Sequence, residues 1–350
     1  PFVSCIILAR PTKSEMLFCL DSNTEILTSH GWKGIGQVKE GDCAATLSDI
    51  DSGKGKWSRI NAVIERNMSP EERWVEYDAP RANFRVTGNH NMIYATGKPG
   101  NRKYKKDTAY NMANEKGSVF MRTAVEIDQT GVPLTDAELY FIGMMMSDGS
   151  WTNISGNISQ SERHPKIIER IENCLRDCGI GYAKKKVKVN NGDDDSGFIQ
   201  RYNRWVFHFS SGKPHASNKL GIDMAGNKCK RQYDRVNGIT GFRHLIPYMD
   251  KDFSPALMAM SKSQLIKFIE GLWDGDGTKK INVDYTPRSW EICSARKVMI
   301  DRLQALCAIN GFTANSRLEV TGRTNPIWVI TITPKDWRSC GGYSHKDRDS

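Results

Sequence analysis

The sequence lacks any unbroken run of about 18 apolar residues, the length a helix needs to cross a bilayer,. It also lacks a charged-then-apolar leader ahead of a small-residue cleavage site, so neither membrane insertion nor secretion is expected,. Orderly cysteine pairing is missing too. The nine cysteines, at positions 5, 19, 43, 174, 178, 229, 293, 307 and 340, are odd in number and scattered. That speaks against a disulfide framework and fits a reducing, cytoplasmic setting. Cys174 and Cys178 lie four residues apart with no second Cys/His pair beside them, and read as core thiols rather than zinc ligands,. No GxxxxGK[ST] loop occurs, which argues against a nucleotide-driven motor,.

What is present is a chain of 350 residues, 39% apolar, long enough for two or more domains,. Its formal charge of +10 favours polyanionic partners, DNA first, although charge alone is compatible with a merely solubilising surface,.

One stretch occurs twice. TDAELYFIGMMMSDG at 135–149 is echoed by SKSQLIKFIEGLWDGDG at 261–277, and each places Asp-Gly at the end of an apolar helix. ISQSERHPKIIERIENCLRDCGI follows the first copy from Ile158, and ICSARKVMIDRLQALCAINGF follows the second from Ile292. WVFHF at 205–209 is likewise matched by WVITI at 328–332. The pattern predicts two helix–strands–helix–strand units, each delivering one carboxylate, Asp148 and Asp276, to a helix end. Thr135 with Glu138, and Ser261 with Gln264, predict a capping box at each helix start,.

Gly143 and Gly271 occupy matching positions inside these helices, where glycine costs roughly 1 kcal/mol relative to alanine,. Close backbone approach accounts for that cost. It would also gather the two aspartates, whose joint ionisation calls for a divalent cation, and hard oxygen ligands select Mg²⁺ or Mn²⁺. In a basic, twofold setting the chemistry is metal-assisted phosphodiester hydrolysis. Read singly, each Asp-Gly is an ordinary helix-end turn.

The remaining chain sorts by texture. VSCIILA within residues 1–18 reads as a lone strand from some other domain, followed by an Arg-Pro turn and a helix start at Thr12 or Ser14,. From Cys19 to about residue 125, short strands alternate with glycine-bearing turns, an all-β pattern,. GYAKKKVKV and RWVFHFS read as two strands joined by an acidic loop,. Lys184, Lys185, Lys186 and Lys188, with Arg201, Arg204, Lys279 and Lys280, are the candidate DNA contacts, since a two-stranded ribbon fits the major groove,.

FIGMMMSDG and FIEGLWDGDG resemble the signature motifs of a single-chain LAGLIDADG homing endonuclease, over residues 130–338. The resemblance implies an α+β domain with two pseudo-twofold halves and saddle-shaped antiparallel sheets that lie in the DNA major groove. It implies metal binding by Asp148 and Asp276, a monomer, and a long asymmetric duplex target. Met146 stands where an earlier acidic residue is common, and Asp274 keeps that residue in the second copy. Lys335 is the candidate basic residue for one centre, its counterpart in the first half being unassigned.

CLDSNTEILTSHGWKGIGQVKEGD from Cys19 and VTGNHNMI, with Thr87 and His90, are similar to the N-terminal splicing blocks of inteins. This implies a Hint-like β module in which Cys19 attacks the Phe18–Cys19 peptide carbonyl, with Thr87 and His90 assisting. IILARPTKSEMLF resembles a segment of DEAD/DEAH-type superfamily 2 helicases, the implied host. The closing HKDRDS lacks the His-Asn terminus of an intein, which reads as a truncated chain, a C-terminal part on a separate polypeptide, or a decayed element, and at most thioester formation with N-terminal cleavage is expected.

The expected division is therefore 1–18 N-extein, 19–128 splicing module, 129–255 first endonuclease half with linker, 256–338 second half, and 339–350 tail. The expected activity is site-specific double-strand DNA cleavage within an incomplete intein, in a DNA-associated cytoplasmic setting. The alternatives are an inactive DNA-binding regulator, a helicase fragment, and a non-enzymatic interaction module.

Overall fold

The computed structural model describes residues 2–7, 20–79, 82–97, 103–188, 202–210, 221–222, 228–229, 241–278, 289–320 and 326–333. Its helices are α1 (Ala109–Ala113), α2 (Asp136–Ser147), α3 (Pro165–Asp177), α4 (Lys262–Asp276) and α5 (Lys297–Ile309). The strands pair into several antiparallel sheets, so the chain is of mixed α/β class. Contacts divide it into two compact units, residues 131–279 and residues 1–130 with 280–350.

In the 131–279 unit, both expected capping boxes form. Thr135 Oγ1 accepts from the Glu138 backbone N–H while the Glu138 carboxylate accepts from that of Thr135 at 2.8 Å; Ser261 and Gln264 make the same exchange. Each box satisfies two N–H groups that have no partner inside the helix. Leu139 to Met146 are all buried, so α2 is apolar around its circumference and belongs to the core rather than to an amphipathic surface,. Against it packs a four-stranded sheet in the spatial order Gly149–Trp151, Ser155–Ser161, Arg204–Ser210, Tyr182–Val187. Strand alternation sorts the faces. Ile158 pairs with Phe207 and Gly156 with Phe209, and these turn inward, where the Phe141 ring meets Phe209 at 5.5 Å. Asn157, Ser159 and His208 turn outward.

In the other unit the region from Glu25 to Met121 is built mainly of short antiparallel strands, as its turn-rich sequence predicts, but it also holds α1, capped by Thr108, which the all-β reading did not include. One sheet runs Gly31–Gly34, Glu25–Thr28, Cys43–Leu47, Gly55–Arg59 around Val38, Ala44 and Ile60. Another joins Lys103–Thr108, Asn91–Thr96 and Val119–Met121 over Tyr94, Met112 and Phe120. The strand expected near the N-terminus exists as Phe2–Ile7 but is not alone. It pairs antiparallel with Ala62–Asn67, from Phe2 opposite Asn67 to Ile7 opposite Ala62. An edge strand left bare exposes a row of backbone donors and acceptors, and pairing covers them.

The same unit holds α5 with the strands Trp290–Ser294, Ile327–Thr333 and Thr313–Glu319. The segment Val125–Ile127 is laced on both sides. Val125 and Ile127 N–H groups donate to Ala308 and Ile309 carbonyls at 2.7 and 2.8 Å, and Glu126 exchanges hydrogen bonds with Gly53 and Gly55 at 2.9 Å each. A Cβ on Gly55 would lie 2.0 Å from Val125 Cγ2, so only glycine admits this approach,.

Candidate metal centre

The α2–α4 contact is as close as the paired glycines imply. A Cβ on Gly143 would sit 2.4 Å from the Phe268 carbonyl oxygen, and one on Gly271 would sit 2.2 Å from that of Tyr140. Main chain therefore packs on main chain. At the helix ends Gly275 continues the contact, since a Cβ there would fall 2.0 Å from Ser147 Oγ and 3.3 Å from Asp148 N. Asp148 caps α2 and Asp276 closes α4, and the two carboxylates lie near enough for the charge of Asp276 to act on Asp148.

Electrostatics register that proximity. Burial, and then repulsion from Asp276, push the Asp148 carboxyl up to about 7, while Lys251 pulls it back,. Burial also raises Asp276, again opposed by Lys251. Asp276 nevertheless meets solvent, whereas Asp148 is half-buried. The two facts about Asp276 agree physically: protein crowds the carboxylate from behind while its outer edge stays reachable. A close pair sheds charge by protonating one member, and the more enclosed Asp148 takes the larger share.

Lys251 is a site residue that sequence reasoning missed. Its ammonium donates to the Met145, Met146, Ser147 and Gly149 carbonyls at 3.0, 2.9, 3.0 and 2.9 Å. These are carbonyls at and just past the end of α2, where a cation also complements the helix dipole. The turn that delivers it is strained. Phe253 holds φ at +71°, rare for a bulky residue, while buried against the Phe268 ring at 5.4 Å,. Lys251 lies outside both repeats, in a connecting turn with no periodic pattern, so no spacing pointed to it.

Gln160 was also missed. It is buried, and its Nε2 donates to Asp148 Oδ2 at the long limit of 3.5 Å and to the Asp274 carbonyl at 3.3 Å. The signal was available: in the aligned copies Gln160 stands opposite Ser294, and its place in ISQS puts a polar residue on the inward face of a strand,. Asp274 is structural. Buried at 4% exposure, it accepts from Tyr140 Oη at 2.7 Å and from Arg170 at 2.6 Å, tying α4 to α2 and α3. Met146, at the matching place in the first copy, is simply buried.

Among the described residues no group of three or more His, Cys, Asp or Glu side chains could enclose a metal. The donor set fits an ion that needs no such cage. Mg²⁺ keeps several waters and is held by one or two carboxylates plus substrate phosphates, and Asp148 with Asp276 supply that number of hard oxygens.

The basic residues divide by strand face. Lys184 pairs with Glu172 at 2.9 Å and Lys186 with Glu162 at 2.6 Å, both on the inward-turned register that carries Trp205 and Phe207. Lys185 and Arg204 are exposed on the outward register, and Lys188 is exposed just beyond the strand. Arg201, Lys279, Lys280, Lys335 and Cys19 lie outside the described residues.

In the β-rich region Thr87 is fully buried, and the His90 N–H closes a turn onto the Thr87 carbonyl at 2.8 Å. Burial lowers the His90 imidazole to about 4, so it is neutral at pH 7,. Leu20, the residue after Cys19, bridges antiparallel to Val86, the residue before Thr87.

No protein-family model matches the chain, and no curated protein matches it. Solved structures do. Mesophilic variants of the homing endonuclease I-DmoI align at 13% identity and a TM-score of 0.33, over 57% of this chain and 83% of theirs. I-DmoI in complex with DNA and Mn aligns at 15% and 0.32, over 57% and 89%. The N-terminal LAGLIDADG domain of WhiA aligns at 13% and 0.30, over 59% and 80%. The neighbours are thus LAGLIDADG proteins, and at TM-scores this low the likeness carries no argument about the chemistry of this chain.

Proposed function

We propose that this chain is a site-specific, Mg²⁺- or Mn²⁺-dependent double-strand DNA endonuclease. The observation that carries the reading is the glycine-mediated contact of α2 with α4, which sets Asp148 and Asp276 side by side at the joined helix ends. A bound divalent ion supplies an activated water and charge stabilisation for the leaving oxygen. The chain's own groups prepare for it. Two carboxylates with raised pKa values exchange a proton for the cation, Lys251 offsets their repulsion, and Gln160 orients Asp148,. Lys251 is the basic residue of the first centre on this reading, and Lys335 remains the candidate for the second. The protein acts as a DNA-associated monomer on a long asymmetric target.

The test is cleavage of duplex DNA spanning the uninterrupted helicase insertion site, for the wild-type chain, Asp148→Asn and Asp276→Asn. Metal-dependent double-strand cuts lost in both variants support the reading. Specific binding without cutting would replace it with the inactive regulator.

A second activity is favoured by the pairing of Leu20 with Val86 next to Thr87 and His90. We propose that the β-rich region is the N-terminal part of an intein splicing module. The Cys19 thiolate attacks the Phe18 carbonyl carbon, the amide C–N bond breaks, the freed amine takes a proton, and a thioester forms. Added dithiothreitol should then release residues 1–18 as a thioester. Release that persists in Cys19→Ala would exclude the step.

A further inference from the structure

Asp276 sits between two glycines that packing demands. A Cβ on Gly275 would fall 2.0 Å from Ser147 Oγ, and one on Gly277 would fall 2.3 Å from the Trp273 carbonyl oxygen. Close approach therefore puts the least stiff backbone on either side of a carboxylate whose direction matters. The contacts of Asp274, two residues earlier, hold that turn from three elements. Tyr140 Oη on α2 donates to Asp274 Oδ2 at 2.7 Å, and Arg170 Nη2 on α3 donates to Oδ1 at 2.6 Å. Gln160 Nε2, from the strand Ser155–Ser161, donates to the Asp274 carbonyl at 3.3 Å. The same Nε2 reaches Asp148 Oδ2 at 3.5 Å, so a shift of Asp274 is passed to both aspartates.

The three holds differ in kind. Tyr140 and Gln160 are buried, at 8% and 7% exposure, and donate as neutral groups. Arg170 brings a charge, and its side chain is 52% exposed although its guanidinium ends on a buried carboxylate. Hydrogen bonds to ionised partners are the stronger kind, and a buried carboxylate deprived of its cation keeps a desolvation cost that tyrosine alone does not offset. Without Arg170 the Asp274 side chain gains by turning toward water, and the glycine-flanked end of α4 turns with it. The first copy has no such clamp, since buried Met146 stands at the matching place.

We propose that Arg170 is a positioning residue for the metal centre. By holding Asp274 it fixes Asp276, and through Gln160 also Asp148, in the arrangement that takes a divalent ion. The proposal rests on the endonuclease reading and deepens it. It places control of metal affinity on a side chain of α3 that is reachable from solvent and touches neither aspartate.

The experiment is a Mn²⁺ titration of the full chain bound to a duplex that the wild-type chain has selected from a randomised pool. Electron paramagnetic resonance of free Mn²⁺, with the duplex alone subtracted, reads metal affinity. Fluorescence anisotropy in EDTA reads duplex affinity separately, and circular dichroism checks that each variant is folded. Arg170→Met should raise the Mn²⁺ dissociation constant roughly tenfold, the low end of what loss of a group supporting a metal ligand produces, and leave duplex affinity in EDTA unchanged. Arg170→Lys, which can still donate to Asp274 Oδ1, should recover most of that loss. In an Asp274→Asn background, which should itself weaken Mn²⁺, Arg170→Met should have no further effect, because the pair acts as one unit. Reduced stability with unchanged Mn²⁺ affinity would overturn the proposal, leaving Arg170 a packing residue. So would additivity of the two substitutions, or a loss of duplex affinity in EDTA as large as the loss for Mn²⁺, which would make Arg170 a phosphate contact. Should Arg170→Met not fold, Asp274→Asn decides, and an unchanged Mn²⁺ constant there overturns the proposal. If the wild-type chain selects no duplex or takes up no Mn²⁺, the endonuclease reading falls and this proposal with it.

Discussion

Replacing Asp148 by asparagine should remove the proposed endonuclease activity and, at the same time, stabilise the metal-free protein above neutral pH. Asp148 rises from 3.8 to about 7 on folding, so the native state prefers the protonated acid. A group raised in this way contributes its full stability below its unfolded pKa, and that contribution is lost as pH climbs through the folded value. The window is therefore about pH 4 to 7, and the carboxylate is a net liability at pH 8. Each pKa unit corresponds to about 1.4 kcal/mol, which puts the liability at no more than about 4 kcal/mol, and less because Asp148 is only half-buried,. Asparagine keeps the shape and can still accept from Gln160, but carries no charge. In EDTA at pH 8 the variant should melt several degrees above wild type, at about 2–4 °C per kcal/mol, and the gap should close by pH 4. Mg²⁺ should raise the wild-type melting temperature and leave the variant's unmoved. Calorimetry across pH reads all of this. A variant that melts below wild type at pH 8 in EDTA would refute the argument that burial, and then the neighbouring Asp276, disfavour the Asp148 carboxylate.

Further outcomes follow from neighbouring contacts. Gly271→Ala puts a Cβ 2.2 Å from the Tyr140 carbonyl and must part the helices; it should cost about 2 kcal/mol or more by chemical denaturation and abolish cleavage,. Asp274→Leu strands Tyr140 Oη and Arg170 and should cost about 3 kcal/mol, whereas Asp274→Asn, which can still accept from tyrosine, should cost clearly less,. Lys251→Met removes the cation that lowers both aspartates, so its cleavage–pH profile should move to higher pH than that of wild type; an unmoved profile would mean Lys251 acts by packing alone. His90 is depressed to about 4 by burial, so the stability it confers above pH 6.5 should fade as pH falls toward 4, and His90→Phe should flatten that part of an acid-unfolding curve,.

Much of the fold was legible because it is written locally. Capping boxes, a period-two strand pattern and paired glycines are short-range signals, and each has its counterpart in hydrogen bonds or contacts of the folded chain. The pairing of Phe2–Ile7 with Ala62–Asn67 was not, because strand partners sixty residues apart leave no local mark. At the centre, the aspartates were found through repetition. Lys251 was not found, because it reaches the site through a one-off turn whose strained Phe253 has no sequence signature. The lysine run at 184–186 shows a different limit: consecutive residues on a strand point to opposite faces, so the run is split between ion pairs with glutamate and the outward face.

The lacing of Val125–Ile127 between Gly53–Gly55 and the end of α5 bears on how such a gene could be trimmed. Cutting the chain after about residue 128 to isolate the proposed nuclease would strip the carbonyls of Ala308 and Ile309 of their partners. The natural seam, for a protein engineer as for a deletion in evolution, thus does not coincide with the change in sequence texture, and a minimal nuclease would need Val125–Ile127 retained or the α5 terminus redesigned.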